Sequence, residues 1–246
     1  MSGHSKWATI KRKKGANDAK RGKMFSKILR EITIAAKKSG GSVDTNAYLR
    51  TVVAKAKAVN MPQENIKRAI QKGTGELEGA TYEEITYEGY GPGGVAIFIE
   101  GSTDNKNRTS AEIRTIFSKH GGNMGEAGCV SYMFEKKGLI SVSKVGATED
   151  DVMGAALDNG AEDMSVETET FDIVTLPEHF EKVKTALEAK KFTLVSAEVT
   201  NVPKNYVEVS GHTAKSILNL VDSFEDNDDV GNVYTNADIP ESELTD

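Results

Sequence analysis

The chain has 246 residues, a length that suits one large domain or two to three small ones. Hydrophobic residues make up 38% of it, and no run approaches the ~20 apolar residues of a transmembrane helix, so an integral membrane protein is excluded. The single cysteine excludes an internal disulfide and a cysteine-based zinc site, which favours a fold held by burial in a reducing compartment.

The net charge of −6 hides a strong segregation of charge along the chain. Residues 1–73 hold 18 Lys and Arg against 4 Asp and Glu, a net charge of +14, whereas the remaining residues hold 13 against 33, a net charge of −20. Clustered Lys and Arg are typical of a nucleic-acid surface, because they neutralise phosphates and release counterions. The N-terminus lacks the apolar core of a signal peptide, which predicts a cytoplasmic protein.

Three helices are predicted in the basic first third. Apolar residues at three- and four-residue steps predict a helix over about residues 20–39 with a core face and a basic face. A second helix begins near Asp44 or Thr45 and ends before Pro62. A third begins at Pro62 and has Gly73 as its C-cap. Together they predict a small helical bundle.

From Tyr82 onward, short β-rich runs alternate with helical stretches, which predicts an α+β fold with helices on one face of each sheet. The predicted strands are 85–90, 95–100, 130–134, 139–143, 165–176, 194–199, 206–209 and 230–235, and the predicted helices are 109–120, 148–159, 177–190 and 213–224.

The N-terminal arm is the first candidate binding segment. It combines clustered basic residues with one large aromatic, Trp7, which suits contacts with a nucleic-acid backbone and stacking on a base. The alternative is a solvated charged tail whose Trp7 packs on the bundle. The predicted contacts in the arm and on the first helix are His4, Lys6, Trp7, Lys11, Arg12, Lys13, Lys14, Lys20, Arg21, Lys23, Lys27 and Arg30.

A glycine-rich loop is the second candidate. Its letters match the dinucleotide motif G-x-G-x-x-G, but that motif must open a helix, and here the sequence runs into a predicted strand at Val95. The pattern therefore predicts a loop between two strands, which could still approach an RNA backbone closely. The loop consists of Gly89, Tyr90, Gly91, Pro92, Gly93 and Gly94.

The segment from Asp104 to Thr109 is the third candidate, because it precedes a predicted helix that Asn107 or Thr109 would cap. Lys106 and Arg108 add positive charge in an otherwise acidic half of the chain. The segment predicts either an anion contact at a helix N-terminus or a polar loop with a good cap.

Enzymatic readings have little support in the sequence. Cys129 lies at a predicted strand start, nine residues after His120, and a thiol nucleophile would need a basic partner close to it in space. Free cysteines are commonly buried, which favours a structural thiol. The four histidines lack metal-ligand spacing, so no metal or other cofactor is predicted. The acidic run from Asp222 to Asp229 lacks the oxygen ligands of a calcium loop and predicts a solvated turn.

Several motifs, read together, resemble the YebC/PmpR family, which includes the mitochondrial translational activator of cytochrome c oxidase subunit I. The motifs that carry this resemblance are Gly3 to Trp7, Lys11 to Lys23, Tyr87 to Gly94, Asp104 to Thr109 and Asp229 to Asn236.

The resemblance implies three domains: an N-terminal three-helix bundle and two α+β (ferredoxin-like) domains, one inserted in the other. The bundle is expected at residues 1–78, the middle domain at 79–131 and 206–246, and the insertion at 132–205. The family is labelled a probable DNA-binding transcriptional regulator, and some members resemble ribosome-associated translation factors. Neither label implies a catalytic residue.

Two nucleic-acid targets remain open. In one, the bundle binds duplex DNA, and its second and third helices act as a helix-turn-helix whose reading helix offers Gln63, Asn65, Lys67 and Arg68. In the other, the bundle, the arm and the glycine-rich loop bind ribosomal RNA. Neither target involves a membrane or a small-molecule substrate, and the sequence does not predict an oligomeric state. The third hypothesis, an enzyme that uses the glycine-rich loop or Cys129, is disfavoured.

Overall fold

The computed structural model describes residues 18–243, with side chains described from residue 22 on, except that of Glu241. Its first three helices are α1 (Asp18–Ser39), α2 (Ala47–Ala58) and α3 (Gln63–Thr74). They share one core, and the predicted bundle is confirmed. The buried residues of that core are Ile28, Ile32, Ala35, Leu49, Val52, Val53, Ala56, Met61, Ile66 and Ala69.

Asn46 sets the start of α2. Its side-chain oxygen accepts a hydrogen bond from the backbone N–H of Leu49 at 3.0 Å, as expected of an N-cap. Its amide nitrogen donates to the carbonyls of Ala35 and Gly40, both at 2.8 Å. One buried side chain thus caps α2 and binds the end of α1, which fixes the turn between the two helices.

Gly73 was predicted as the C-cap of α3, and that prediction is wrong. The helix continues to Thr74, and Gly75, at φ 83°, is the left-handed cap. Gly73 faces α1, where a Cβ would overlap the carbonyl oxygen of Thr33 and lie 2.7 Å from Cβ of Ala36. This glycine therefore permits the close approach of two helices.

The middle of the chain begins with a β-hairpin. The hairpin consists of β1 (Glu83–Tyr90) and β2 (Ala96–Thr103). It is followed by α4 (Lys106–Lys119) and the short β3 (Asn123–Met124). The helix starts three residues earlier than predicted, because Asn105, rather than Asn107 or Thr109, is its cap: Oδ1 of Asn105 accepts the N–H of Arg108 at 3.1 Å.

In the rest of the chain, two of the strand predictions differ from the structure. A single strand replaces the predicted strands 130–134 and 139–143, and a turn at 167–169 divides the predicted strand 165–176 in two. In chain order they are β4 (Phe134–Ser143), α5 (Glu149–Leu157), β5 (Ala161–Val166), β6 (Thr170–Thr175), α6 (Phe180–Ala189), β7 (Leu194–Pro203), β8 (Val207–Glu208), α7 (Gly211–Glu225), β9 (Val230–Thr235) and β10 (Ala237–Asp238).

The described chain divides into two compact units. One comprises residues 18–131 and 210–235, and it holds the bundle together with a four-stranded antiparallel sheet of order β3-β1-β2-β9. Helices α4 and α7 belong to this unit, and Phe117 of α4 packs edge-on against Phe224 of α7 at 4.7 Å between ring centroids. The expected α+β class is confirmed here.

The other unit comprises residues 132–209 and 236–243. Its main sheet has the order β5-β6-β4-β7, all pairs antiparallel, with α5 after β4 and α6 after β6. This β-α-β-β-α-β arrangement is the ferredoxin-like topology, whereas the sheet of the first unit has a different strand order. None of the described helices has both the length and the hydropathy that crossing a membrane requires.

Candidate nucleic-acid interface

The predicted contact residues fall into two groups with respect to the structure. The first group lies outside the described residues or lacks a described side chain, and it consists of His4, Lys6, Trp7, Lys11, Arg12, Lys13, Lys14, Lys20 and Arg21. The second group lies on α1, α3, the β1–β2 loop and α4, where the contacts of each side chain are defined.

The outward face of α3 presents three cations to solvent. Ile66 and Ala69 are buried against the bundle core, which turns Lys67, Arg68 and Lys72 away from it. All three are exposed, and within the part of the chain that the structure describes none of them forms an ion pair. Their charges are therefore available to a phosphate backbone.

The basic face of α1, by contrast, contacts another part of the protein. Its partner is residues 225–229, named here the acidic segment, which connects α7 to β9. Nζ of Lys23 donates to the Asp226 carboxylate at 3.2 Å, and Nζ of Lys27 donates to the carbonyl of Glu225 at 2.6 Å. Burial lowers the pKa of Lys27, although the charge of Glu225 opposes that shift.

Asp229 is the centre of this contact. Its carboxylate accepts hydrogen bonds from Arg30 at 2.5 Å and from Arg108 at 2.6 Å, so it joins α1 of the bundle to α4. The hydroxyls of Thr109, at 2.6 Å, and Thr103, at 3.1 Å, also donate to it. Two guanidinium groups and two hydroxyls thus surround one carboxylate that is only 4% exposed.

The environment of Asp229 keeps it ionised. Burial alone would raise its pKa, but the hydrogen bonds from Thr109, Arg108 and Arg30 outweigh burial and lower the pKa to about 2. The prediction of a solvated turn is wrong for Asp229, because this last acidic residue of the run is inside the protein. The remaining exposed members, Asp226 and Asp228, fit that prediction.

The two cations predicted at the start of α4 also have acidic partners. Arg108 contacts Asp229 and, at 3.0 Å, Asp104, and these hydrogen bonds raise the pKa of its guanidinium. Nζ of Lys106 lies 2.5 Å from the carboxylate of Glu83. The structure therefore satisfies both side chains without a bound anion.

The glycine-rich loop connects β1 and β2 as predicted. Its tip is a short 3₁₀ turn in which Gly93 and Gly94 take φ values of 75° and 74°. Gly91 lies beneath α7, where a Cβ would be 2.7 Å from Cδ1 of Ile217. Gly93 and Gly94 thus serve the turn, Gly89 and Gly91 serve close packing, and the exposed part of the loop is Gly93 and Gly94.

Glu88 is a buried carboxylate whose structural role sequence reasoning missed. Its buried carboxylate accepts backbone N–H groups from Gly128, Val130 and Ser131, each at 2.7 Å. Burial raises the pKa of Glu88, but the three backbone donors lower it by more than burial raises it, so the net pKa shift is downward. Burial and the charge of Glu88 raise the pKa of the neighbouring Cys129 thiol, which disfavours the thiolate.

The chain matches two family models that share one family name. Residues 5–76 match the TACO1/YebC protein N-terminal domain, and residues 82–237 match the TACO1/YebC second and third domain. The chain belongs to the TACO1/YebC family. The resemblance to this family that the sequence motifs indicated is therefore confirmed.

Several known proteins are similar to this chain over almost their whole length. A probable transcriptional regulatory protein of Desulforapulum autotrophicum is 55% identical over 241 residues, 98% of each chain. A protein of the same description from Dictyoglomus turgidum is 54% identical over 245 residues, 99% of this chain and 98% of that one. The crystal structure of the conserved hypothetical protein Aq1575 from Aquifex aeolicus matches with a TM-score of 0.82 and 45% identity, covering 93% of this chain and 95% of that one.

Proposed function

We propose that the protein is a non-enzymatic regulator of gene expression that binds DNA through its basic N-terminal domain, residues 1–78. The observation that carries this proposal is the outward face of α3, where Lys67, Arg68 and Lys72 are exposed and unpaired within the described residues. This face belongs to a segment whose net charge is strongly positive. The proposed function places the protein in the cytoplasm.

The names of the relatives support the regulatory role, since two of them are called probable transcriptional regulatory protein. The bundle supports the mode of binding. Helices α2 and α3 are joined by a short turn in which Asn60 takes φ 57°, and Gln63, Lys67 and Arg68 are exposed on the second helix. A helix with these side chains in the major groove would contact base edges and phosphates.

The proposed absence of catalysis rests on the internal hydrogen bonds of the buried acidic groups and on the raised pKa of the thiol. Asp229 and Glu88 are each occupied by several internal donors, and the raised pKa of Cys129 makes it a poor nucleophile at neutral pH. These groups hold the fold together, and the exposed cations are left for binding.

Ribosomal RNA is the alternative target for the same surface. The two exposed glycines of the β1–β2 loop favour it, because a tip without side chains can approach a folded RNA backbone closely. In this alternative the protein acts as a ribosome-associated translation factor, and the arm and the α3 face contact phosphates.

A binding experiment tests the proposal. The full chain is titrated with a DNA duplex and with a ribosomal RNA fragment over a range of salt concentrations, beside its Lys67→Glu/Arg68→Glu variant. We expect the variant to lose at least tenfold in affinity for the physiological target, since two phosphate contacts become repulsive. The control variant Lys182→Glu/Lys190→Glu has the same change in net charge, at an exposed position of α6 and at the exposed residue that follows this helix, and should bind normally.

Lysate fractionated on a density gradient separates the two targets. Ribosome association together with a preference for RNA would overturn the DNA-binding proposal, and sequence-selective duplex binding without ribosome association would overturn the alternative. If the unmodified chain binds neither nucleic acid at low salt, the nucleic-acid-binding function itself is wrong.

A further inference from the structure

A cleft of about 580 Å³ opens beside the C-terminal end of α3. One wall is formed by α1, another by the end of α3, and the third by residues 75–82, which follow α3 in the chain. Its volume is within the ~300–1,000 Å³ typical of small-molecule sites. The residues that line it are Thr33, Ile34, Lys37, Lys72, Gly73, Thr74, Gly75, Leu77, Glu78, Gly79, Ala80, Thr81 and Tyr82.

The walls of the cleft are held in place by defined contacts. The hydroxyl of Thr33 donates to the carbonyl of Ala69 at 3.2 Å, which ties α1 to α3. The N–H of Leu77 donates to the carbonyl of Gln71 at 3.1 Å, so the chain folds back against the helix it has just left. The space is therefore built by secondary structure and hydrogen bonds, as a preformed site requires.

The chemistry of the lining combines apolar surface, positive charge and polar groups. Ile34, Leu77 and the ring of Tyr82 supply apolar and aromatic surface. The ammonium groups of Lys37 and Lys72 belong to the same cleft, and Glu78 is its acidic member. A ligand that suits this lining has a flat hydrophobic part, an anionic part and hydrogen-bond donors.

We infer that this cleft receives one unpaired nucleotide of a single-stranded nucleic-acid segment. The base contacts Tyr82 and Leu77, the lysines contact the adjoining phosphates, and Glu78 accepts a hydrogen bond from an exocyclic amino group of the base. This inference rests on the proposed function and deepens it, because it adds an unpaired nucleotide, held in the cleft, to the phosphate contacts of the α3 face.

Two observations favour a nucleotide over a small molecule that acts alone. Lys72 lines the cleft and also belongs to the exposed basic face of α3, so a strand that follows the face passes the cleft entrance. Arg30 lies over the ring of Tyr82 at 5.1 Å and binds Asp229, which holds in place the ring that a base would contact. A base-paired duplex has no base free to enter, so the cleft discriminates single strands from duplexes.

A substitution that fills the cleft tests the inference in the full chain. Ala80 is exposed and lines the cleft, so Ala80→Trp fills the space without entering the bundle core. The control Ala54→Trp adds the same side chain at an exposed position of α2 outside the cleft. The probes are fluorescently labelled 12-nucleotide RNA and DNA single strands of mixed sequence and a duplex of the same DNA sequence.

We expect Ala80→Trp to weaken single-strand binding by about tenfold, the loss of one stacked base, and to leave duplex binding unchanged. The Ala54→Trp control should bind like the unmodified chain. The ratio of the RNA and DNA affinities shows which single strand supplies the nucleotide. If Ala80→Trp binds the single strands as tightly as the unmodified chain does, the inferred nucleotide site in the cleft is wrong. The proposed function is unaffected by that result. No binding of any probe by the unmodified chain would overturn both.

A measurement on the unmodified chain guards against misfolding of the variant. Bound single strand should slow hydrogen exchange of the backbone amides of residues 78–82, whereas bound duplex should not. Equal exchange rates in this segment with and without the single strand would overturn the inference, whatever the variant does.

Discussion

At the scale of single residues, Asp229 decides how the bundle is attached. Arg30 comes from α1 and Arg108 from α4, and both donate to the same carboxylate within 2.6 Å. Removing one member of a buried ion pair leaves the others desolvated without a counter-charge, which costs about 3–5 kcal/mol for a fully buried pair. Asp229 is therefore the buried charge among the contacts that attach the bundle.

We predict that Asp229→Asn lowers the free energy of unfolding by about 2 kcal/mol at pH 7, less than for a fully buried pair because Arg108 is 45% exposed and reaches solvent. The control Asp226→Asn removes an exposed carboxylate that pairs with Lys23 and should cost at most about 0.5 kcal/mol. Urea unfolding measures both. Equal losses would contradict the role given to Asp229.

The same carboxylate predicts a pH dependence. Its pKa is about 2 in the folded chain, below the ~3.9 of an unfolded aspartate, so folding is favoured by the ionised form. The stabilisation is complete above the unfolded pKa and is lost as the pH falls towards the folded pKa. The stability difference between the unmodified chain and Asp229→Asn should therefore shrink between pH 5 and pH 2, as urea unfolding at several pH values would show. A constant difference would refute this.

Glu88 holds the loop of residues 128–131 through hydrogen bonds, as Asp229 holds α1 and α4 together. Substituting Gln keeps the size of the side chain and removes the charge that three backbone N–H groups share. We predict at least tenfold faster hydrogen exchange at Gly128, Val130 and Ser131 in Glu88→Gln, because charge-assisted hydrogen bonds are about twice as strong as neutral ones. Glu84→Gln, on the exposed part of the same strand, should leave these amides unchanged.

At the scale of elements, the contact between α1 and α3 depends on the absence of a side chain at Gly73. We predict that Gly73→Ala destabilises the fold by about 1–3 kcal/mol, since the methyl group would overlap Thr33 and Ala36. Gly154 lies in α5 with no atom near its missing Cβ, so Gly154→Ala should stabilise by up to about 1 kcal/mol through helix propensity. Thermal unfolding compares the two, and a stabilising Gly73→Ala would contradict the packing.

Sequence periodicity was sufficient to predict the bundle helices, because their apolar stripes are long and regular. It was insufficient for helix ends. Asn105 caps α4 although Asn107 and Thr109 look equally suitable in sequence, and Gly75 rather than Gly73 ends α3. Capping depends on which backbone N–H groups a side chain reaches and on what packs against the last turn, and neither is encoded in the spacing of apolar residues.

The candidate site shows the same limit. A helical wheel correctly groups Lys23, Lys27 and Arg30 on one side of α1, but it cannot show what that side contacts. The partner is the acidic segment, about 200 residues later in the chain. A signal was present in the sequence, since an acidic run in the second half matched the charge of a basic helix, yet charge matching alone does not define a contact.

At the scale of the whole molecule, the segregation of charge is partly internal. Cations of α1 neutralise the acidic segment, and cations of α4 pair with Asp229 and Glu83, so these side chains contribute less to the outward positive field than their number suggests. Among the described residues the exposed and unpaired cations of the bundle include Lys67, Arg68 and Lys72. Five further cations of the basic third belong to the N-terminal arm: Lys6, Lys11, Arg12, Lys13 and Lys14.

This division predicts that the arm supplies much of the salt dependence of binding. Each phosphate contact contributes about 0.9 to the slope of log K against log salt concentration on duplex DNA, so reversing Lys11, Arg12, Lys13 and Lys14 to Glu should reduce that slope by up to about 3–4 and abolish measurable binding at physiological salt. Folding should be unaffected, since these positions lie outside the apolar stripes of the bundle. Titrations between 50 and 200 mM salt, with circular dichroism as the folding control, measure both effects. An unchanged slope would mean that the arm does not contact the phosphates.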